Sequence, residues 1–94
     1  MTAQPVGEEA RPRLAPHRRL KFDETRKSWI IQAPERVFLL DDIAHAIVSR
    51  CDGETTLAAI VDDLCAAFAA PRDVVAADVG RLVQDFAGKG VMEL

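Results

Sequence analysis

The sequence predicts a segregated α+β domain, with three short antiparallel β-strands followed by three α-helices in a winged helix-turn-helix-like layout. Three observations predict it. Apolar and polar residues alternate between residues 19 and 40, the period lengthens to about 3.6 beyond Leu40, and polar or Pro- and Gly-containing breaks separate the runs. A chain of 94 residues, 49% hydrophobic, suits one modest core rather than the two-domain cleft of a dinucleotide enzyme.

Residues 1–16 contain Pro5, Gly7, Pro12 and Pro16 and no sustained apolar period, so they are expected to form a mobile lead, with the folded domain over residues 17–94. The first strand is expected at 18–23, with Leu20 and Phe22 on one face and Arg19, Lys21 and Asp23 on the other. Glu24-Thr25-Arg26 breaks the chain before a second strand at 27–32, where Trp29 and Ile31 share a face, so the two runs form a hairpin. Ala33-Pro34-Glu35 interrupts again, because Pro34 has no N–H for a ladder. A third strand, 36–40, is apolar on both faces.

Asp41 is a good N-cap for a first helix carrying Ile43, Ala46, Ile47 and Arg50, which Cys51-Asp52-Gly53 ends. Thr56 caps a second helix whose Leu57, Ile60, Val61, Leu64, Cys65 and Phe68 follow the full amphipathic spacing. Pro71-Arg72-Asp73 restarts the chain into a third helix with Val75, Val79, Leu82, Val83 and Phe86, ending near Gly88. The tail, 90–94, is expected to add a short extended piece.

Charge is unevenly placed. Residues 1–36 hold 8 Lys or Arg against 5 Asp or Glu, and residues 37–94 hold 4 against 10. A winged-helix DNA reader is the competing reading, with the third helix in the major groove. The second helix, however, has no Lys or Arg, and the third sets Arg81 and Lys89 against Asp73, Asp78 and Asp85. Such a surface repels phosphates. Two cysteines, Cys51 and Cys65, are too few for a disulfide scaffold, and no apolar run opens the chain, so a reduced, cytoplasmic setting is expected.

Catalytic signals are missing. His17, His45, Cys51 and Cys65 form no CxxC or HxxxH pair, so no metal is expected; the doublets Asp41-Asp42 and Asp62-Asp63 point about 100° apart on a helix. No phosphate-binding loop or nucleophile elbow is present, and no serine opens a helix to bear a carrier arm. These features point to a binding module that is no enzyme and uses no cofactor. Its candidate surface is the apolar third strand, whose uncovered edge recruits another strand or seals a homodimer. On a wheel of the third helix, Val83, Ala76, Ala87 and Gly80 form a small, apolar shoulder at about 80° to 140° from Val75, a face on which an extended peptide can lie. Val83→Asp is accordingly expected to weaken peptide binding and leave the fold intact.

The sequence also resembles the coenzyme PQQ synthesis protein D (PqqD) family. The resemblance rests on Pro12-Arg13-Leu14-Ala15-Pro16, the basic strand, Ala33-Pro34-Glu35, Leu39-Leu40-Asp41, Cys51-Asp52-Gly53 and Thr56, in that order. It implies a domain of the kind that recognises the leaders of ribosomally made, modified peptides (a RiPP recognition element). On this resemblance the precursor peptide PqqA binds as an extra strand against the third strand, beside the third helix. The complex then delivers PqqA to the radical SAM enzyme PqqE, which cross-links a Glu and a Tyr of the peptide. Members also occur fused to PqqC, the quinone-forming oxidase of the pathway. The strand positions this assigns are Arg36, Val37, Phe38 and Leu39; the helix positions, Ala76, Gly80, Val83 and Ala87, come from the wheel.

Overall fold

The computed structural model describes residues 7–94. Five strands and three helices follow in the order β1 (Arg13–Leu14), β2 (Arg19–Asp23), β3 (Ser28–Gln32), β4 (Val37–Leu40), α1 (Asp42–Val48), α2 (Leu57–Phe68), α3 (Arg72–Gly88) and β5 (Met92–Glu93). The expected α+β class and its three helices are present. Strands β2, β3 and β4 form an antiparallel sheet in that order, and β1 pairs with β5 in a separate two-stranded ribbon.

Local chemistry fixes the turns and caps. Asp23 Oδ1 accepts from the N–H groups of Thr25 and Arg26, which folds the chain back so that Phe22 faces Trp29 in the next strand. Asp41 accepts from the Ala44 N–H at 2.8 Å and Thr56 from the Ala59 N–H at 3.2 Å, so both expected caps form. Between them, Asp52 Oδ1 takes the N–H groups of Glu54 and Thr55 at 2.9 and 2.7 Å, and Gly53 adopts φ +80°, a conformation that favours glycine.

The core lies between one sheet face and the helices. Ile31 and Leu40 meet Ile47 of α1, Leu57, Ile60, Val61 and Leu64 of α2, and Val79, Val83 and Phe86 of α3, with Val91 and Met92 closing the end. Trp29 stacks on His45 with ring centroids 4.2 Å apart and planes at 15°, which clamps α1 to β3. His45 is therefore half-buried against an aromatic face.

The expected mobile lead needs correction over residues 8–16; residues 1–6 lie outside the described residues. The first N–H groups of a helix lack partners within it. Here the Leu57 N–H donates to Ala10 O at 2.8 Å and the Ala58 N–H to Glu8 O at 3.0 Å, while the Gly53 N–H donates to Pro12 O at 2.9 Å. The segment mainly supplies carbonyls, a role that prolines fill without loss. Pro12 is fully buried, and Ala15 N–H donates to Val91 O at 2.9 Å beside the β1–β5 pairing. Two residues per strand are too few for an alternating pattern to announce them.

Candidate functional site

Strand β4 ends the three-stranded sheet, with its outer edge unpaired among the described residues. The Ala33 N–H donates to Arg36 O at 2.9 Å across the Pro34-Glu35 turn. Hydrogen-bonded and non-bonded pairs alternate along an antiparallel ladder, so Phe38 and Leu40 direct their backbone groups to β3, and Val37 and Leu39 direct theirs outward. The side chains alternate too. Leu40 is buried and Phe38 half-buried against the core, whereas Val37 is 43% and Leu39 65% exposed. An edge strand thus presents free N–H and C=O groups flanked by exposed apolar side chains, the arrangement that accepts an added strand.

A groove of about 500 Å³ runs beside this edge. One wall is Leu39, Leu40 and Asp41 with Ile43, Ala44 and Ile47 of α1; the other is Asp78, Arg81, Leu82, Asp85 and Phe86 of α3. Ile43, 57% exposed, stands at its end and leads into an apolar recess of about 240 Å³ between α1 and the α2–α3 junction, where Phe68 and Val74 are also exposed. The walls are tied by Phe38 and Phe86, whose rings meet edge-on with centroids 5.9 Å apart.

The groove's charged residues are held by neighbours. Arg81 pairs with Asp78 at 3.4 Å and Lys89 with Asp85 at 2.9 Å on the exposed face of α3. Arg72 bridges Asp62 and Glu8, and these two carboxylates hold its guanidinium above its ordinary pKa. With its arginines engaged by carboxylates, α3 offers no basic stripe for a duplex backbone. Cys51, whose thiol donates to Ile47 O at 3.2 Å, is pushed up to about 12 chiefly by burial, which makes it a packing group. Among the described residues no group of His, Cys, Asp or Glu is placed to hold a metal, and no helix is long and apolar enough to cross a membrane.

Of the residues singled out from sequence, the structure brings Leu39 to the wall of the groove and Val37 to the open edge of β4, while Phe38 packs on the core and Arg36, its guanidinium 4.6 Å from the Phe38 ring centroid, lines a hollow at the strand's start. The helix set is different. Val83 is 0% exposed at the centre of the core, Ala76 packs on the core's margin, and neither Gly80 nor Ala87 lines the groove. The wheel located the apolar stripe but took its margin as its centre. Val79, Val83 and Phe86 are the buried residues, so the wall facing β4 is the Asp78, Arg81, Leu82 and Asp85 flank on the other side. Those four and Ile43 were missed. Ile43 carried a usable signal, an apolar side chain a full turn ahead of the Ala46-Ile47 pair with nothing of its own to cover it.

The fold matches the solution structure of the PqqD truncation of Methylobacterium extorquens PqqCD, described as a functional, stand-alone RiPP recognition element, with a TM-score of 0.76, 37% identity and 88% of each chain covered. A crystal structure of PqqD from Xanthomonas campestris aligns with a TM-score of 0.61 and 36% identity over 95% of this chain and 99% of that one. The class is therefore that of small recognition domains with an open strand beside a helical wall. Residues 28–92 match the family model described as Coenzyme PQQ synthesis protein D (PqqD). A PqqA binding protein of Rhodopseudomonas palustris strain HaA2 is 48% identical over 93% of this chain and 85% of its own. Another, from Xanthomonas axonopodis pv. citri, is 38% identical over 95% and 97%. The chain belongs to the PqqD family.

Proposed function

We propose that this chain is the peptide chaperone of pyrroloquinoline quinone biosynthesis: it binds the precursor PqqA as a fourth strand on the edge of β4 and presents it to PqqE. The observation that carries the reading is the outward-facing backbone of Val37 and Leu39 beside the β4–α3 groove. Main-chain hydrogen bonds supply affinity in such a complex, and the side chains entering the groove supply selectivity. The chain performs no bond-making step; its work is to hold the peptide extended while the radical SAM enzyme acts, in the cytoplasm. The M. extorquens relative, a truncation of PqqCD, supports PqqC as a further partner, fused or bound.

Titration of the chain with PqqA tests this. Amide NMR signals of residues 36–41, and of Asp78, Leu82 and Asp85, are expected to shift, with the solvent-facing side of α2 unchanged. Shifts confined to α2, or heat of binding absent in calorimetry, overturn the reading.

A further inference from the structure

Beyond the shape of the groove, its two ends differ in charge. At the start of β4 a hollow of about 250 Å³ is lined by Arg18, the turn from Ala33 to Arg36, Phe38, Lys89 and Val91. Arg18 and Arg36 face it with Glu35 as its one acidic residue, while Lys89 is paired with Asp85 of the adjoining groove at 2.9 Å. At the other end Asp41 and Asp78 line the groove with Arg81, which pairs with Asp78 at 3.4 Å. Because α3 runs opposite to β4, Lys89 near its C-terminal end adjoins the first residues of β4 and Asp78 adjoins the last. Four strand residues separate the ends by about 13 Å. That exceeds the Debye length of about 8 Å at physiological salt, so Arg18 and Arg36 at one end and Asp41 at the other each act on their own neighbour.

The cationic end is prepared for an anion. The Phe38 ring holds the Arg36 guanidinium beside the hollow, and Phe38 is itself held by Phe86. Arg18 Nη1 donates to Pro16 O at 2.6 Å, but its Nε, shielded from solvent, has no acceptor among the described residues. A shielded donor without an acceptor costs free energy, and a carboxylate supplies one. We infer that the groove reads charge order: its occupant sets a carboxylate side chain against Arg18 and Arg36, and carries no acidic side chain where it passes Asp41 and Asp78. The inference rests on strand addition by PqqA. An occupant antiparallel to β4 places that carboxylate toward its own C-terminal end, and a parallel one toward its N-terminal end.

Calorimetry of the full chain with synthetic PqqA, and with peptides in which each carboxylate is replaced in turn by its amide, decides it. Arg36→Gln and Arg18→Gln are each expected to weaken binding about fivefold, and Arg36→Lys to retain it, since Arg36 sits at a solvent-exposed rim. One amide peptide should lose a similar factor on the unmodified chain and little more on Arg36→Gln. Circular dichroism verifies that the variants fold, and Arg18→Gln keeps the test open if Arg36→Gln disturbs Phe38. Unchanged affinity in both Gln variants, or no carboxylate coupled to either, overturns charge reading while leaving strand addition standing. Failure of the unmodified chain to bind PqqA overturns strand addition itself.

Discussion

Phe38 of β4 and Phe86 of α3 meet edge-on, centroids 5.9 Å apart and planes at 66°. This contact is the direct aromatic link between the two walls of the groove, so it sets their spacing while belonging to the core. Phe86→Ala is expected to cost about 3–5 kcal/mol in urea unfolding, as a large aromatic removed from a packed interior does. In preparations still folded, PqqA affinity should fall as well. A normal unfolding midpoint would show that the ring contact is dispensable.

Leu39 and Val83 separate the groove from the core. Leu39 is 65% exposed, so Leu39→Asp should leave the unfolding curve almost unchanged and weaken PqqA binding by more than about 1 kcal/mol, because strand addition desolvates the new charge. Val83→Asp, expected from the helix wheel to act on binding alone, instead buries a carboxylate in the core and should unfold the domain. Circular dichroism and calorimetry on the pair check both outcomes.

Gly53 has φ +80°, and a Cβ added there would lie 3.2 Å from Arg13 Cδ and 3.3 Å from Arg13 Cβ. Gly53→Ala should therefore lose about 1–2 kcal/mol to the left-handed backbone alone, and loosen the N-terminal segment that Gly53 holds through Pro12 O. Faster amide exchange at Leu57 and Ala58, whose acceptors lie in that segment, would register the second effect.

Acid should weaken the domain through its turns. Hydrogen bonds from Arg26 hold Asp23 below its ordinary value of 3.8, and those from Thr55 and Glu54 do the same for Asp52. Groups with lowered folded-state pKa contribute stability that is complete above the unfolded value and lost as pH falls through the folded one. Thermal midpoints are thus expected to decline below about pH 4, and less steeply in Asp52→Ala.

Thiol chemistry should distinguish the cysteines. Burial raises Cys51 to about 12, while Cys65 is half-buried on α2. An alkylating reagent at neutral pH is expected to label Cys65 first and Cys51 at the rate of opening, which peptide mass spectrometry resolves.

The elements with long periods were legible in the sequence. Leu57, Ile60, Val61 and Leu64 announced α2, Asp41 and Thr56 announced their caps, and the alternation through Phe22, Trp29 and Ile31 announced the hairpin. What was not legible depended on which element lies beside which. The wheel of α3 placed Val83 correctly among apolar residues but carried no information about where β4 sits, so the wall was assigned to Ala76, Gly80 and Ala87 in place of Leu82 and Asp78. The segment around Pro12 was misread because composition reports what a stretch can donate, and this one is held by what it accepts.

The pairing of Arg13 with Glu93 brings residues 80 positions apart to one strand spacing, roughly 5 Å. Topologically, the polypeptide between them is nearly a closed ring. A host protein could accommodate it within a surface loop without being pried apart, since the stretch enters and leaves at a single point. For the same reason, cutting the ring at the turn of residues 24–27 and joining its old ends by a few residues should give a permuted chain with every element retained.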